Sequence, residues 1–189
     1  LGDVYKRQLF DSTGSPRRLI VDEFSHSAFA RFEGIELEAI DVILNMHEHL
    51  QLIGGSQLIL HEMDIAAEGG VTLLVDASEL HLLSTEGFTD LGVGAGDESG
   101  LLHVRNGSLV SIGHGLHVAP MGHATGEMRI ETGSTVHVED RIKVGWVGSN
   151  MSSDGVLIVD GESTLDQSDG GLRIGAAGTG PIARFELTG

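Results

Sequence analysis

Ten histidines, 28 acidic side chains, 11 Lys and Arg and no cysteine leave imidazole, carboxylate, hydroxyl and cationic chemistry open to this chain and close off thiol chemistry. The densest histidine group is His47-Glu48-His49, with His61 downstream. Alternate residues of a strand share a face, so His47 and His49 could bite one ion together. A zinc site needs further ligands at about 2.0–2.2 Å, and the sequence supplies no convincing third and fourth; solvated histidines and no metal are expected. The run Gly94-Ala95-Gly96-Asp97-Glu98-Ser99-Gly100 has the look of a calcium turn. Calcium rolls repeat such a turn every nine residues or so, whereas here it occurs once, so no calcium is expected. Gly92-x-Gly94-x-Gly96 and Gly175-x-x-Gly178-x-Gly180 lack a following helix that would point its N-terminus at a phosphate. No cofactor is expected.

Two further constellations depend on how the chain is wound. If successive segments are laid in register, His81, Ser111, His137 and Asp166 share one outward strand position, and His117, Lys143 and Arg173 share another. The second set is a small basic stripe on an acidic protein, suited to an anionic group of a glycan; ordinary exposed positions are the plainer reading. Glycosidases need paired carboxylates about 5–9.5 Å apart, and these registers align no Asp or Glu on neighbouring turns of the chain. Asp140, Asp154 and Asp160 fall near turns, where a carboxylate accepts local backbone hydrogen bonds. No Ser-His-Asp arrangement can be singled out. The expectation is a protein that is not an enzyme.

What must position these residues is a repeat. Gly55-Ser56-Gln57-Leu58-Ile59-Leu60 returns as Ala77-Ser78-Glu79-Leu80-His81-Leu82, as Gly107-Ser108-Leu109-Val110-Ser111-Ile112 and as Gly133-Ser134-Thr135-Val136-His137-Val138. Gly161-Glu162-Ser163-Thr164-Leu165 is a looser copy, and Gly189 begins another. The small residues at 55, 77, 107, 133, 161 and 189 lie 22, 30, 26, 28 and 28 apart. Each copy is preceded by an apolar-x-apolar triplet (Leu50/Leu52, Leu73/Val75, Leu102/Val104, Met128/Ile130, Leu157/Val159, Phe185/Leu187). Each is followed by another (Met63/Ile65, Leu91/Val93, Leu116/Val118, Ile142/Val144, Leu172/Ile174), usually ending in Gly or Ala. Period-two alternation puts the apolar residues of each triplet on one face of a short strand.

Three short strands cannot bury a face alone, but stacked copies can. The pattern therefore predicts an all-β parallel β-helix, a β-solenoid with three short strands per coil and about 22–30 residues per coil. Leu58, Leu80, Val110, Val136 and Leu165 should form one ladder; Leu60, Leu82, Ile112 and Val138 the next, with Gln167 as a solvated break or a polar rung. A sandwich of antiparallel strands is the rival, but does not explain three strand types recurring in fixed order. Glu36 to His49 is the only stretch with helix-like patterning; Ile40-x-Val42 also fits a third strand, and strand is the expectation.

Gly100-Leu101-Leu102-His103-Val104-Arg105-Asn106-Gly107-Ser108, Gly126-Glu127-Met128-Arg129-Ile130-Glu131-Thr132-Gly133-Ser134 and the closing Val144-Gly145-Trp146-Val147-Gly148 and Ile174-Gly175-Ala176-Ala177-Gly178 carry a resemblance. From about Gly69 to Gly189 the chain resembles the repeats of bacterial type V secreted (autotransporter) and PEP-CTERM-associated proteins. That resemblance implies a right-handed solenoid, export, and a passenger or surface role, extracellular or at the cell surface; it brings no catalytic residues. Residues 9–50 match poorly and are expected to be N-terminal coils or an irregular lead-in, with solenoid repeats over 50–189, cut short at the C-terminus. Asp3-Val4-Tyr5-Lys6-Arg7-Gln8 resembles a translated sequencing adapter, so residues 1–8 are set aside as not native and the chain is expected to be part of a longer one.

The function this supports is a non-catalytic stalk or adhesive surface, with glycans or cell-surface molecules and the remainder of its own chain as partners. A carbohydrate-active β-helix (polysaccharide lyase or glycosidase) and a phage tail-fibre-like component are the alternatives. A net charge of −17 argues against nucleic acid and anionic membrane surfaces as partners. No apolar run reaches the roughly 18 residues of a membrane-spanning helix.

Overall fold

The computed structural model describes residues 19–21, 29–33, 36–39, 42–44, 49–60, 71–83, 91–94, 99–119, 125–145, 153–175 and 183–188. Among them every regular element is a strand, and every pairing between strands is parallel. Numbered along the chain, β1 (Leu19–Val21) pairs β4 (Val42–Leu44) in a sheet of its own. The remaining strands form three sheets that the chain visits in rotation.

The first sheet stacks β2 (Phe29–Glu33), β5 (His49–Ile53), β7 (Val71–Asp76), β10 (Ser99–Arg105), β13 (Thr125–Ile130), β16 (Asp154–Asp160) and β19 (Ala183–Thr188). The second stacks β3 (Glu36–Ala39), β6 (Gln57–Leu60), β8 (Glu79–Leu82), β11 (Leu109–Ile112), β14 (Thr135–Val138) and β17 (Thr164–Gln167). The third stacks β9 (Leu91–Val93), β12 (Leu116–Val118), β15 (Arg141–Val144) and β18 (Gly171–Ile174). This is a parallel β-solenoid with about 28 residues per coil. Parallel strands need a long crossover; here the other two strands of the same coil supply it.

The register is the one the alternation predicts. Leu50, Leu73, Leu102, Met128, Leu157 and Phe185 are successive partners in the first sheet. Leu58, Leu80, Val110, Val136 and Leu165 follow one another in the second, and Leu91, Leu116, Ile142 and Leu172 in the third. Of these residues Leu172 is 41% exposed, and Leu165 and Phe185 pack partly buried against the core. Those from Leu58 to Leu157 make one aliphatic interior in which Leu80, Val110, Leu116, Met128, Val136 and Leu157 are wholly shielded from water. Each such Leu or Met adds about 1.5–3 kcal/mol by leaving water, which is what offsets the ordering of so many short strands.

β2 and β3 pair in register with β5 and β6, so coil structure lies upstream of residue 50, the first of the two alternatives the sequence left open there. Two details depart from the sequence reading. Val42 lies in a strand, as expected, but that strand pairs β1 and not the third sheet. The looser copy is offset by one residue: Ser163, 29 residues beyond Ser134, occupies the serine position, so Glu162 and not Gly161 stands where Gly133 stands one coil earlier. Met63 and Ile65 lie outside the described residues.

The corners explain the conserved-looking words of the repeat. Between the first and second sheets, Asn106–Gly107 and Thr132–Gly133 both adopt left-handed φ (60°, 72°, 58° and 70°), which turns the chain in two residues. The serine that follows faces inward, and Ser56, Ser78, Ser108 and Ser134 are all at most 4% exposed. Each hydroxyl accepts the amide N–H of the serine one coil earlier: Ser78 from Ser56, Ser108 from Ser78, Ser134 from Ser108 and Ser163 from Ser134, each at 3.2 Å. Each also donates locally, Ser134 to Glu131 O at 2.7 Å and Ser108 to Arg105 O at 2.6 Å. The neighbouring corner amides of Gly55, Ala77 and Gly107 reach backbone carbonyls of the next coil, so the hydroxyls serve the serine's own amide, which would otherwise be buried without a partner.

Candidate functional site

Three outward-facing arrangements follow from this register. The third sheet places His117, Lys143 and Arg173 at one position on β12, β15 and β18, as the spacing requires. Their exposure is uneven. His117 is half-buried, Lys143 is only 7% exposed and Arg173 is exposed. The stripe is therefore not an open row of cations: alternation says which side of the sheet a residue faces, not what lies over it.

The corner between the first and second sheets carries a charged cluster. Arg105 donates from Nε and Nη2 to Asp76 Oδ2 at 2.9 and 2.7 Å across one coil step, and Asn106 donates to Asp76 Oδ1 at 2.7 Å. Burial pushes the Asp76 carboxyl up, but the Asn106 and Arg105 hydrogen bonds outweigh it and hold it below its ordinary value. His103 Nε2 meets Glu131 at 2.9 Å. Asp160 accepts the Thr132 amide at 2.8 Å and the Ser163 hydroxyl at 2.7 Å, which hold its carboxyl low as well. This is turn chemistry, as expected of Asp160. Extending the β13–β16 register by one residue past Ile130↔Val159 makes Glu131 and Asp160 equivalents on neighbouring coils, a carboxylate pairing the sequence reading did not find. Beside this corner, residues 55–57, 77–79 and Gly107 line an open groove of about 210 Å³.

The second sheet brings His137 and Asp166 together, as the repeat register predicts, and adds a residue that the sequence reading did not single out. His137 on β14 and Asp166 on β17 are register partners, and His137 Nδ1 lies 3.0 Å from Asp166 Oδ2. Ser168 follows β17 by one residue, and its Oγ lies 3.3 Å from His137 Nε2. Serine, imidazole and carboxylate are thus joined in sequence, the hydroxyl on one ring nitrogen and the carboxylate on the other. The available signal was Ser168 at two residues from Asp166, hence on the same face of the same coil. Gln167 between them points inward. Its amide donates to Asp140 O at 2.5 Å and Asp169 O at 2.7 Å, so the polar rung of the aliphatic ladder ties down the turn that carries Ser168.

On the same face His81 meets Glu79 at 3.1 Å and Gln57 donates to Glu79 at 2.7 Å; the His81 and then the Gln57 hydrogen bond keep the Glu79 carboxyl low. Among the described residues no group of three or more His, Cys, Asp or Glu side chains is arranged to hold a metal. His47, Glu48, His61 and Asp97 lie outside the described residues, and of His49 only the strand position in β5 is described. No protein-family model, curated protein or solved structure matches the chain.

Proposed function

We propose that this chain is a segment of an exported bacterial β-solenoid, a stiff stalk that holds other modules away from a surface or adheres through its own faces to glycans or cell-surface molecules. The observation that carries this reading is the unbroken parallel register from β2 to β19 along the first sheet. A ladder of that kind resists bending because every coil is hydrogen-bonded to both neighbours, and it presents equivalent outward positions at a spacing of about 4.8 Å. The resemblance of its repeat words to autotransporter and PEP-CTERM-associated proteins supports export and an extracellular or cell-surface location. Arg173, with His117 and Lys143 behind it in register, is the contact proposed for an anionic sugar. The acidic remainder, at a net charge of −17, repels nucleic acid and anionic lipid.

A glycan array probed with protein whose circular dichroism shows β structure tests the adhesive half. Retention on uronate- or sulfate-bearing glycans that is lost in Arg173→Glu supports it. A well-folded protein that retains nothing leaves the spacer role alone.

A further inference from the structure

We propose that Ser168, His137 and Asp166 form a nucleophilic site that accepts acyl groups from unhindered carboxylic esters, a chemistry separate from the scaffold role and independent of it. The order of contacts is the one acyl transfer needs. His137 Nε2, at 3.3 Å from Ser168 Oγ, is placed to take the hydroxyl proton, and Asp166 Oδ2, at 3.0 Å from Nδ1, fixes the ring and its tautomer. Each member is held by the fold. His137 and Asp166 are strand residues in direct register. Ser168 is fixed by its own amide, which donates to Val138 O at 3.0 Å, and by the Gln167 anchor beneath the turn.

The step balances without a co-reactant other than water. As Ser168 Oγ bonds to the ester carbon, its proton passes to His137 Nε2. The C–O bond to the alcohol breaks, and Nε2–H returns that proton to the departing alkoxide. A water then adds to the acyl carbon, again giving its proton to Nε2, and the Ser–acyl bond breaks to release the acid and restore the hydroxyl. The substrate class follows from exposure. Ser168 and Asp166 are exposed and His137 is partly so, on the outside of a sheet. Such a shelf takes an ester that projects from its carrier into solvent, not one that must be enclosed, and turnover is accordingly slow.

The test is covalent labelling of the full chain by p-nitrophenyl acetate and, separately, by an alkyl fluorophosphonate, with the adduct located by peptide mass spectrometry. Ser168 is expected to carry the label. Ser168→Ala removes it, His137→Gln slows acylation by about 100-fold or more, and Asp166→Asn slows it by about 10-fold or more. Ser111→Ala, which alters the serine on the other side of His137 in the register, leaves it unchanged. Circular dichroism of each variant checks that the solenoid is intact. Label spread over several serines, label retained in Ser168→Ala, equal rates in His137→Gln, or no label on a folded protein would each overturn the proposal.

Discussion

Single side chains in this molecule matter chiefly through the coil above or below them, and Asp76 is the clearest case. Its carboxylate is 20% exposed and receives the Arg105 guanidinium and the Asn106 amide from the next coil. Burial works against its ionisation, but those two hydrogen bonds win, so its folded pKa lies below the ordinary 3.8. The sign follows from linkage: a carboxyl depressed in the folded state contributes stability that is fully present above its unfolded value and is lost as pH falls through the folded one. Asp76→Asn should therefore lower the urea midpoint at neutral pH, and the gap from the parent chain should close as pH drops below 3.8. Equilibrium unfolding measured at several pH values checks this; a gap that persists unchanged in acid would mean that Asp76 acts through shape rather than charge. Lys143 shows the limit of reading residues singly. Its strand position was legible as outward, yet it is only 7% exposed, which no spacing encodes.

The ladders were legible at the level of elements, and the contacts between corners were not. Val110, Val136 and Leu165 announce themselves because alternation is local and each strand repeats it. The hydrogen bond from the Ser108 amide to the Ser134 hydroxyl was invisible because it joins residues 26 apart through a corner whose φ angles the repeat word implies but does not state. The Ser168–His137 contact escaped for the same reason, at 31 residues apart. Glycine at the start of the first-sheet strands is another such non-local requirement. Gly100, Gly126 and Gly155 are register partners, and each lies against the corner that ends a third-sheet strand. A Cβ on Gly126 would stand 2.3 Å from Val93 O and 2.5 Å from Ala119 N, both backbone atoms that cannot swing aside. Gly126→Ala should then destabilise by about 1–3 kcal/mol or more, the range for overpacking a tight interior. Ala183, at the same register position one coil beyond Gly155, is the internal comparison: Gly175 there leaves room, its own Cβ position 3.8 Å from that of Ala183. Ala183→Gly should cost less than about 1 kcal/mol. Thermal or urea melts of both variants test the contrast, and equal effects would remove the close approach as the reason for glycine.

Across the whole molecule, stability is set by how a linear stack of coils carries a net charge of −17. Coils about 4.8 Å apart bring carboxylates several coils distant within reach of one another when the Debye length is about 30 Å, as at 0.01 M salt, but not when it is about 8 Å at 0.15 M. Two effects then oppose each other. Salt weakens pairs that bridge coils, such as Asp76–Arg105 and His103–Glu131, but partly exposed pairs contribute only about 0–1 kcal/mol each. Salt also screens a repulsion summed over all 28 acidic residues against 11 basic ones, and that sum grows along the whole stack. The repulsion should win. The melting temperature is expected to rise between about 0.01 and 0.15 M sodium chloride and then to level off, by about 2–4 °C for each kcal/mol of repulsion removed in a chain of this size. Differential scanning calorimetry across that range decides it. A melting temperature that falls with added salt would show that the bridging pairs outweigh the net charge, and that the acidic surface is organised coil against coil and is not merely a solubilising coat.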